Sequence, residues 1–115
     1  MPLRQSYGAR RYNELIALTY AQAEVDEFGH ATIGEAVEVC RTYAYVRQMS
    51  ASKSLLTFQQ ADVIGLDIEL RNPGVVFNGL WYRGHLVRFS EPEQLERGRI
   101  LRISGFYQQD NPQII

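Results

Sequence analysis

One cysteine, two histidines and a formal net charge of -1 remove several kinds of protein before any pattern is read. Cys40 has no second thiol to pair with inside the chain, and no cluster of further Cys or His beside it of the kind a zinc site requires. Neither a disulfide framework nor a metal centre is expected, and a reducing cytoplasm suits such a chain. Near-neutral charge, with a pI of about 6.1, supplies no global positive field for nucleic acid or an anionic membrane, so any DNA contact has to be local. No stretch approaches the roughly 20 apolar residues of a membrane span, and Met1 to Gly8 holds no apolar run with a small-residue cleavage site. Neither membrane insertion nor signal-peptide secretion is expected.

Catalytic signatures are missing as well. There is no Walker phosphate loop, dinucleotide glycine fingerprint, HExxH or GxSxG. Cys40, His30 and His85 are the residues best suited to nucleophile or base chemistry, and nothing in the pattern brings them together. Cys40 alternates in phase with Thr42 and Ala44, as a small packed residue would. His30 beside Gly29 and His85 beside Gly84 read as turn polarity. The acids Asp26, Glu27, Glu91, Glu93 and Glu96 fall in turns, where solvation explains them. No enzyme activity, catalytic residue, metal or cofactor is expected.

The 115 residues, 45% hydrophobic and 22% charged, suit one folded domain spanning 1–115. Period-two hydrophobicity dominates, punctuated by Gly and Pro, which predicts strands joined by turns. Residues 12–23 predict an opening strand, followed by the polar turn Asp26 to His30. Residues 35–47 predict a long strand with Val37, Val39, Tyr43 and Tyr45 on one face, where Arg41 interrupts and calls for a bend. In Ile64 to Arg71 the cleanest alternation puts Ile64, Leu66, Ile68 and Leu70 toward the core and Asp67, Glu69 and Arg71 toward water. Asn78-Gly79 between Val75-Val76-Phe77 and Leu80-Trp81-Tyr82 predicts a type I′ hairpin turn, because both central residues need positive φ. Leu86 to Phe89 continues the returning strand, Ser90 to Gly98 reads as a charged loop, and Arg99 to Tyr107 as the last strand. The sum is an all-β, mainly antiparallel fold: a small closed or partly closed barrel of five or six strands.

Residues 50–62 depart from period two. Ala51, Leu55, Phe58 and Asp62 recur at helical spacing and Ser52 could cap a short helix, so this insertion is either a helix or a long loop. It is the segment suited to a partner, with Ser50, Lys53, Leu55, Leu56, Phe58 and Gln59 as the contact set; Leu55, Leu56 and Phe58 equally fit packing of the barrel's open end. Arg97, Arg99 and Arg102 near the end could form a local DNA-facing patch, or be solvated strand-edge charges. Residues 108–115 read as a flexible tail.

The order of these features resembles the head-tail joining, or head-closure, family of tailed phages over roughly residues 10 to 107. The shared run is the Asp26-Glu27-Phe28-Gly29 loop, the strand Tyr43-Ala44-Tyr45-Val46-Arg47, the Ser/Gln insertion, the Ile-x-Leu-x-Ile-x-Leu strand, Val76-Phe77-Asn78-Gly79 and the closing Arg97-Gly98-Arg99-Ile100-Leu101. Tyr43 stands where the family has Trp, Gln48 where it has Pro, and Ser50-Ala51 where it has Ser-Gly. The resemblance implies a stopper or head-completion subunit located in the virion, and in the host bacterial cytoplasm during assembly. It implies as partners other copies of itself in a ring, the portal-adaptor proteins, a tail-completion or tail-terminator protein and the packaged double-stranded DNA, with no membrane. An alternative from another class is a single-stranded nucleic-acid-binding barrel of the oligonucleotide-binding type, stacking bases on Trp81, Tyr82, Phe106 and Tyr107 beside arginines.

Overall fold

Alternating Leu and Ile on the strand Val63–Arg71 set the plan of the molecule. A computed structural model describes residues 11–60 and 62–108. In chain order the elements are β1 (Glu14–Tyr20), β2 (Ala23–Val25), β3 (Ala31–Ile33), β4 (Val37–Gln48), α1 (Ala51–Phe58), β5 (Val63–Arg71), β6 (Gly79–Tyr82), β7 (His85–Phe89), β8 (Glu93–Leu95) and β9 (Ile100–Gln108). Hydrogen-bonded neighbours run β5-β4-β1-β6-β7-β9, and β9 returns to β5, so six strands close on themselves. Every pairing is antiparallel. Short β8 borders the first half of β9 on the side where β7 borders the second. The tail expected beyond Gln108 lies outside the described residues, while Gln108 itself ends β9.

Inside the barrel, Ile16 and Leu18 meet Leu66, Ile68 and Leu70, Leu80 and Val87, and Leu101 and Ile103. Burying each of these branched side chains stabilises the fold by roughly 1.5–3 kcal/mol relative to leaving it in water. The expected alternation of β5 holds for Leu66, Ile68 and Leu70. It fails for Glu69, which is only 2% exposed on the outer side of the sheet because neighbouring groups cover it there.

β4 turns the other way from the expectation. Val37, Val39 and Tyr43 are exposed; Ala44 is in the core, with Cys40 and Val46 packed against it. Large residues on the other strands already fill a narrow interior, leaving room for the smaller set. The break in the pattern is a bulge: Leu18 pairs with Cys40 but Thr19 pairs with Glu38, which leaves Val39 as the extra residue.

The Asn78-Gly79 hairpin is also corrected. The turn between β6 and β7 is Arg83-Gly84, both at positive φ (50° and 78°), with Tyr82 opposite His85. Asn78 instead clamps the chain after β1. Its side-chain amide donates to the Ala21 carbonyl at 2.8 Å, and its Oδ1 accepts from the Ala21 N–H at 3.0 Å. Gly79 sits against Thr19, whose hydroxyl occupies the space a Cβ would need. The opening strand is shorter than expected, and the region after it forms a separate hairpin arm, β2–β3. Within the expected charged loop, Glu93–Leu95 forms β8 before a tight 3-10 turn at Glu96–Gly98.

Candidate functional site

The insertion resolves as helix α1, held against the outside of β5. Ser50, not Ser52, is the N-cap: its hydroxyl accepts from the Lys53 N–H at 3.2 Å. Gln59 ends the helix in the left-handed region, its N–H donating to the Leu55 carbonyl at 2.8 Å. Gly65 is the docking point. Its N–H donates to the buried Ser54 hydroxyl at 3.1 Å and its carbonyl accepts from Met49 N–H at 2.8 Å. Phe58 then packs on Phe106 with ring centroids 4.8 Å apart.

That docking leaves an uneven set of side chains at the expected partner contact. Ser50 and Gln59 are occupied as caps and Phe58 is half-buried against the barrel. Leu55 and Leu56 point outward, Leu56 at 79% exposure. Lys53 reaches back to Asp67 at 3.3 Å.

Beside the helix, the outer wall of β4, β5 and β9 forms a groove of about 340 Å³, lined by Tyr45, Arg47, Met49, Lys53, Thr57, Asp67, Glu69, Glu93, Arg102 and Ser104. Asp67 is its hub, accepting from Arg47 at 3.2 Å, from Lys53 at 3.3 Å and from the Ser104 hydroxyl at 3.4 Å. Glu69 lies 3.6 Å from Arg102. Arg47, Lys53 and Arg102 match in number the carboxylates on Asp67, Glu69 and Glu93, so the lining carries no net formal charge. Of the three arginines expected to face DNA, Arg102 is turned toward Glu69, whereas Arg97 and Arg99 are exposed at the Glu96–Gly98 turn. Sequence alternation had assigned Asp67 and Glu69 to solvent, and no local signal reveals that α1 and β9 bring cations over them.

The reactive residue types stay apart. Cys40 packs half-buried against the core, and His30 lies 3.3 Å from Asp26 in the β2–β3 turn. His85 stacks on Tyr107 at 4.1 Å. Of the aromatics expected to stack on bases, Tyr82 is in the core and Phe106 supports α1. Burial raises the Tyr82 phenol above its ordinary pKa, with Glu14 adding to the rise and Arg83 opposing it. The Arg83 guanidinium is raised chiefly by its hydrogen bond to Glu14, at 2.8 Å. Among the described residues no group of three or more His, Cys, Asp or Glu side chains could hold a metal ion, and no helix is long and apolar enough to cross a membrane.

The molecule is thus a mainly antiparallel β protein, a closed six-strand barrel with one short helix. Its architecture is similar to the solution structure of protein SF1141 from Shigella flexneri 2a, with a TM-score of 0.62 over 90% of this chain and 98% of that one. Sequence identity is 12%, so this likeness shows the fold alone. No protein-family model and no curated protein matches the chain.

Proposed function

We propose that this protein is a non-catalytic structural subunit of the head-tail connector of a tailed phage or prophage, closing the portal channel after DNA packaging and offering the surface on which a tail docks. The order of sequence motifs motivates the reading, and one structural observation carries it furthest: the exposed Leu55-Leu56 pair stands on a helix capped at both ends and fixed to a closed barrel. Two adjacent leucines held rigidly in solvent cost free energy alone and gain it on contact with a partner, while a barrel without free edges supplies a stiff mount. In this role the chain joins a ring of its own copies between the portal-adaptor proteins and a tail-completion or tail-terminator protein, as part of the virion.

The oligonucleotide-binding alternative draws less support. That fold is a five-stranded, partly open barrel; here six strands close, and two of the aromatics it would use serve packing. Electron microscopy of a connector assembled from the portal and adaptor encoded beside this gene tests the proposal. Addition of the wild-type chain should add one ring, and Leu55→Asp with Leu56→Asp should abolish it while leaving the unfolding free energy within about 0.5 kcal/mol. If no portal or adaptor gene lies nearby, or no ring is added, the proposal fails.

A further inference from the structure

The β2–β3 arm has an apolar face that covers nothing among the described residues. Its register pairs Ala23 with Ile33, Glu24 with Thr32 and Val25 with Ala31. Opposed residues share a face, so Ala23, Val25, Ala31 and Ile33 form one side and Glu24 and Thr32 the other. All six are exposed, Ile33 at 81%, and Phe28 at the tip is 76% exposed. The tip is nevertheless ordered by Asp26, whose carboxylate accepts from the N–H groups of Phe28 (2.9 Å) and His30 (2.8 Å). The root is fixed too, by the Asn78 clamp on Ala21 and by the Gly34 N–H donating to the Gln22 carbonyl at 2.8 Å. A lone two-stranded ribbon is marginal in water, and this one is held ready with its apolar side open.

A matching surface exists on the barrel flank. Register across four strands runs Arg41, Ala17, Trp81, Leu86, with Tyr43 opposite Leu15 in the adjoining row. These side chains point outward because their neighbours Ile16, Leu18, Leu80 and Val87 point in. Arg88, two residues beyond Leu86, is exposed on the same face. The charges at the rim are complementary: the arm holds no Lys or Arg and carries exposed Glu27 at its tip, while Arg88 is exposed on the flank, where Arg41 is already paired with Glu38 at 2.7 Å. Val25 and Ile33 of the arm and Leu15 and Tyr43 of the flank are all exposed, so the arm does not cover its own flank.

We infer that the apolar face of the β2–β3 arm docks on the β4–β1–β6–β7 flank of a second copy of this chain. Arm and flank are different surfaces, so the contact is head to tail, and repetition gives a ring where the rotation closes. Only that last closure rests on the connector reading; the docking rests on the two surfaces.

Cysteine trapping tests it in the full chain with Cys40→Ala as background. Ile33→Cys and Tyr43→Cys copies, distinguishable by mass, are mixed near millimolar concentration and oxidised. The mixed disulfide should exceed that formed by the polar-face control Thr32→Cys with Tyr43→Cys by about tenfold, because docking raises the local thiol concentration. Phe28→Asp added to the arm should lower that yield toward the control. Yields equal to the control, arm-to-arm disulfides in excess over the mixed product, or no disulfide at all would overturn the docking. A ring assembled on portal and adaptor without this crosslink overturns the docking but leaves the connector role standing; the crosslink in a chain that adds no ring does the reverse.

Discussion

The Arg102 guanidinium stands 3.6 Å from Glu69, a carboxylate only 3% exposed at its side chain, on the outside of the β5–β9 ladder where the two residues are direct cross-strand partners. A buried carboxylate is tolerated because cationic and polar groups surround it, and removal of one partner leaves the other desolvated without compensation. Arg102→Ala should lower unfolding free energy by about 1–3 kcal/mol, a range reduced for the partial exposure of the arginine. Glu69→Gln, which keeps shape but not charge, should cost less, and the double variant should cost less than the sum. Urea denaturation of the four proteins checks this; strict additivity would show that the pair is not coupled.

Helix α1 should depend on Gly65 more than on its own leucines. A Cβ there would lie 2.5 Å from the Ser54 hydroxyl oxygen and 2.8 Å from the Met49 sulfur. Gly65→Ala should therefore cost about 1–3 kcal/mol through overpacking, and Ser54→Ala about 1 kcal/mol through the lost hydrogen bond. Hydrogen exchange read residue by residue should show both variants loosening Ala51–Phe58 before the barrel. Uniform loss of protection across the barrel would refute this.

The corrected turn makes a paired prediction. Gly84, at φ 78°, should lose about 1 kcal/mol on substitution by Ala. Asn78→Ala should be at least as costly, since two hydrogen bonds to Ala21 go with it, at about 1 kcal/mol each. Were Asn78-Gly79 the hairpin turn, Gly84→Ala would be nearly neutral, so thermal melts of the two variants separate the alternatives.

Alkaline pH should destabilise the fold through Tyr82. Its phenol is raised by burial, so the native state holds that proton more tightly than the unfolded chain. The associated stability is complete below the ordinary tyrosine range, near pH 10, and is lost as pH rises through the higher native value. Tyr82→Phe should flatten this alkaline decline while leaving stability near neutrality little changed. An identical alkaline slope in both proteins would exclude Tyr82 as its source.

The barrel was legible in the sequence because β5 and β9 are long and carry Leu and Ile at alternate positions of their inward face, Leu66, Ile68 and Leu70 on one and Leu101 and Ile103 on the other. β4 misled because its bulky residues are the exposed ones and the residues it turns to the core are the smaller Cys40, Ala44 and Val46, a reversal that the barrel's limited interior explains. Asn78-Gly79 carries hairpin chemistry, yet tertiary partners, the Ala21 backbone and Thr19, claim both residues. The helix was half visible: its apolar spacing was present, but eight residues are too few for local pattern to exclude a loop, and its cap became clear only from geometry. The groove on β5 was invisible, since Asp67 and Glu69 meet Lys53 and Arg102 from segments distant in the chain.

Closure of the sheet has a mechanical consequence. The ladder joining β5 to β9 spans nine paired positions, whereas β7 meets β9 at only two, Arg88 with Phe106 and Phe89 with Gly105, so the hoop is thinnest at that join. A load on the wall is shared around the hoop and tells first where β7 meets β9. The ribbon between Ala23 and Ile33 and the short helix over Gly65 stand outside the hoop, so either can shift on meeting a companion without breaking any of its rungs.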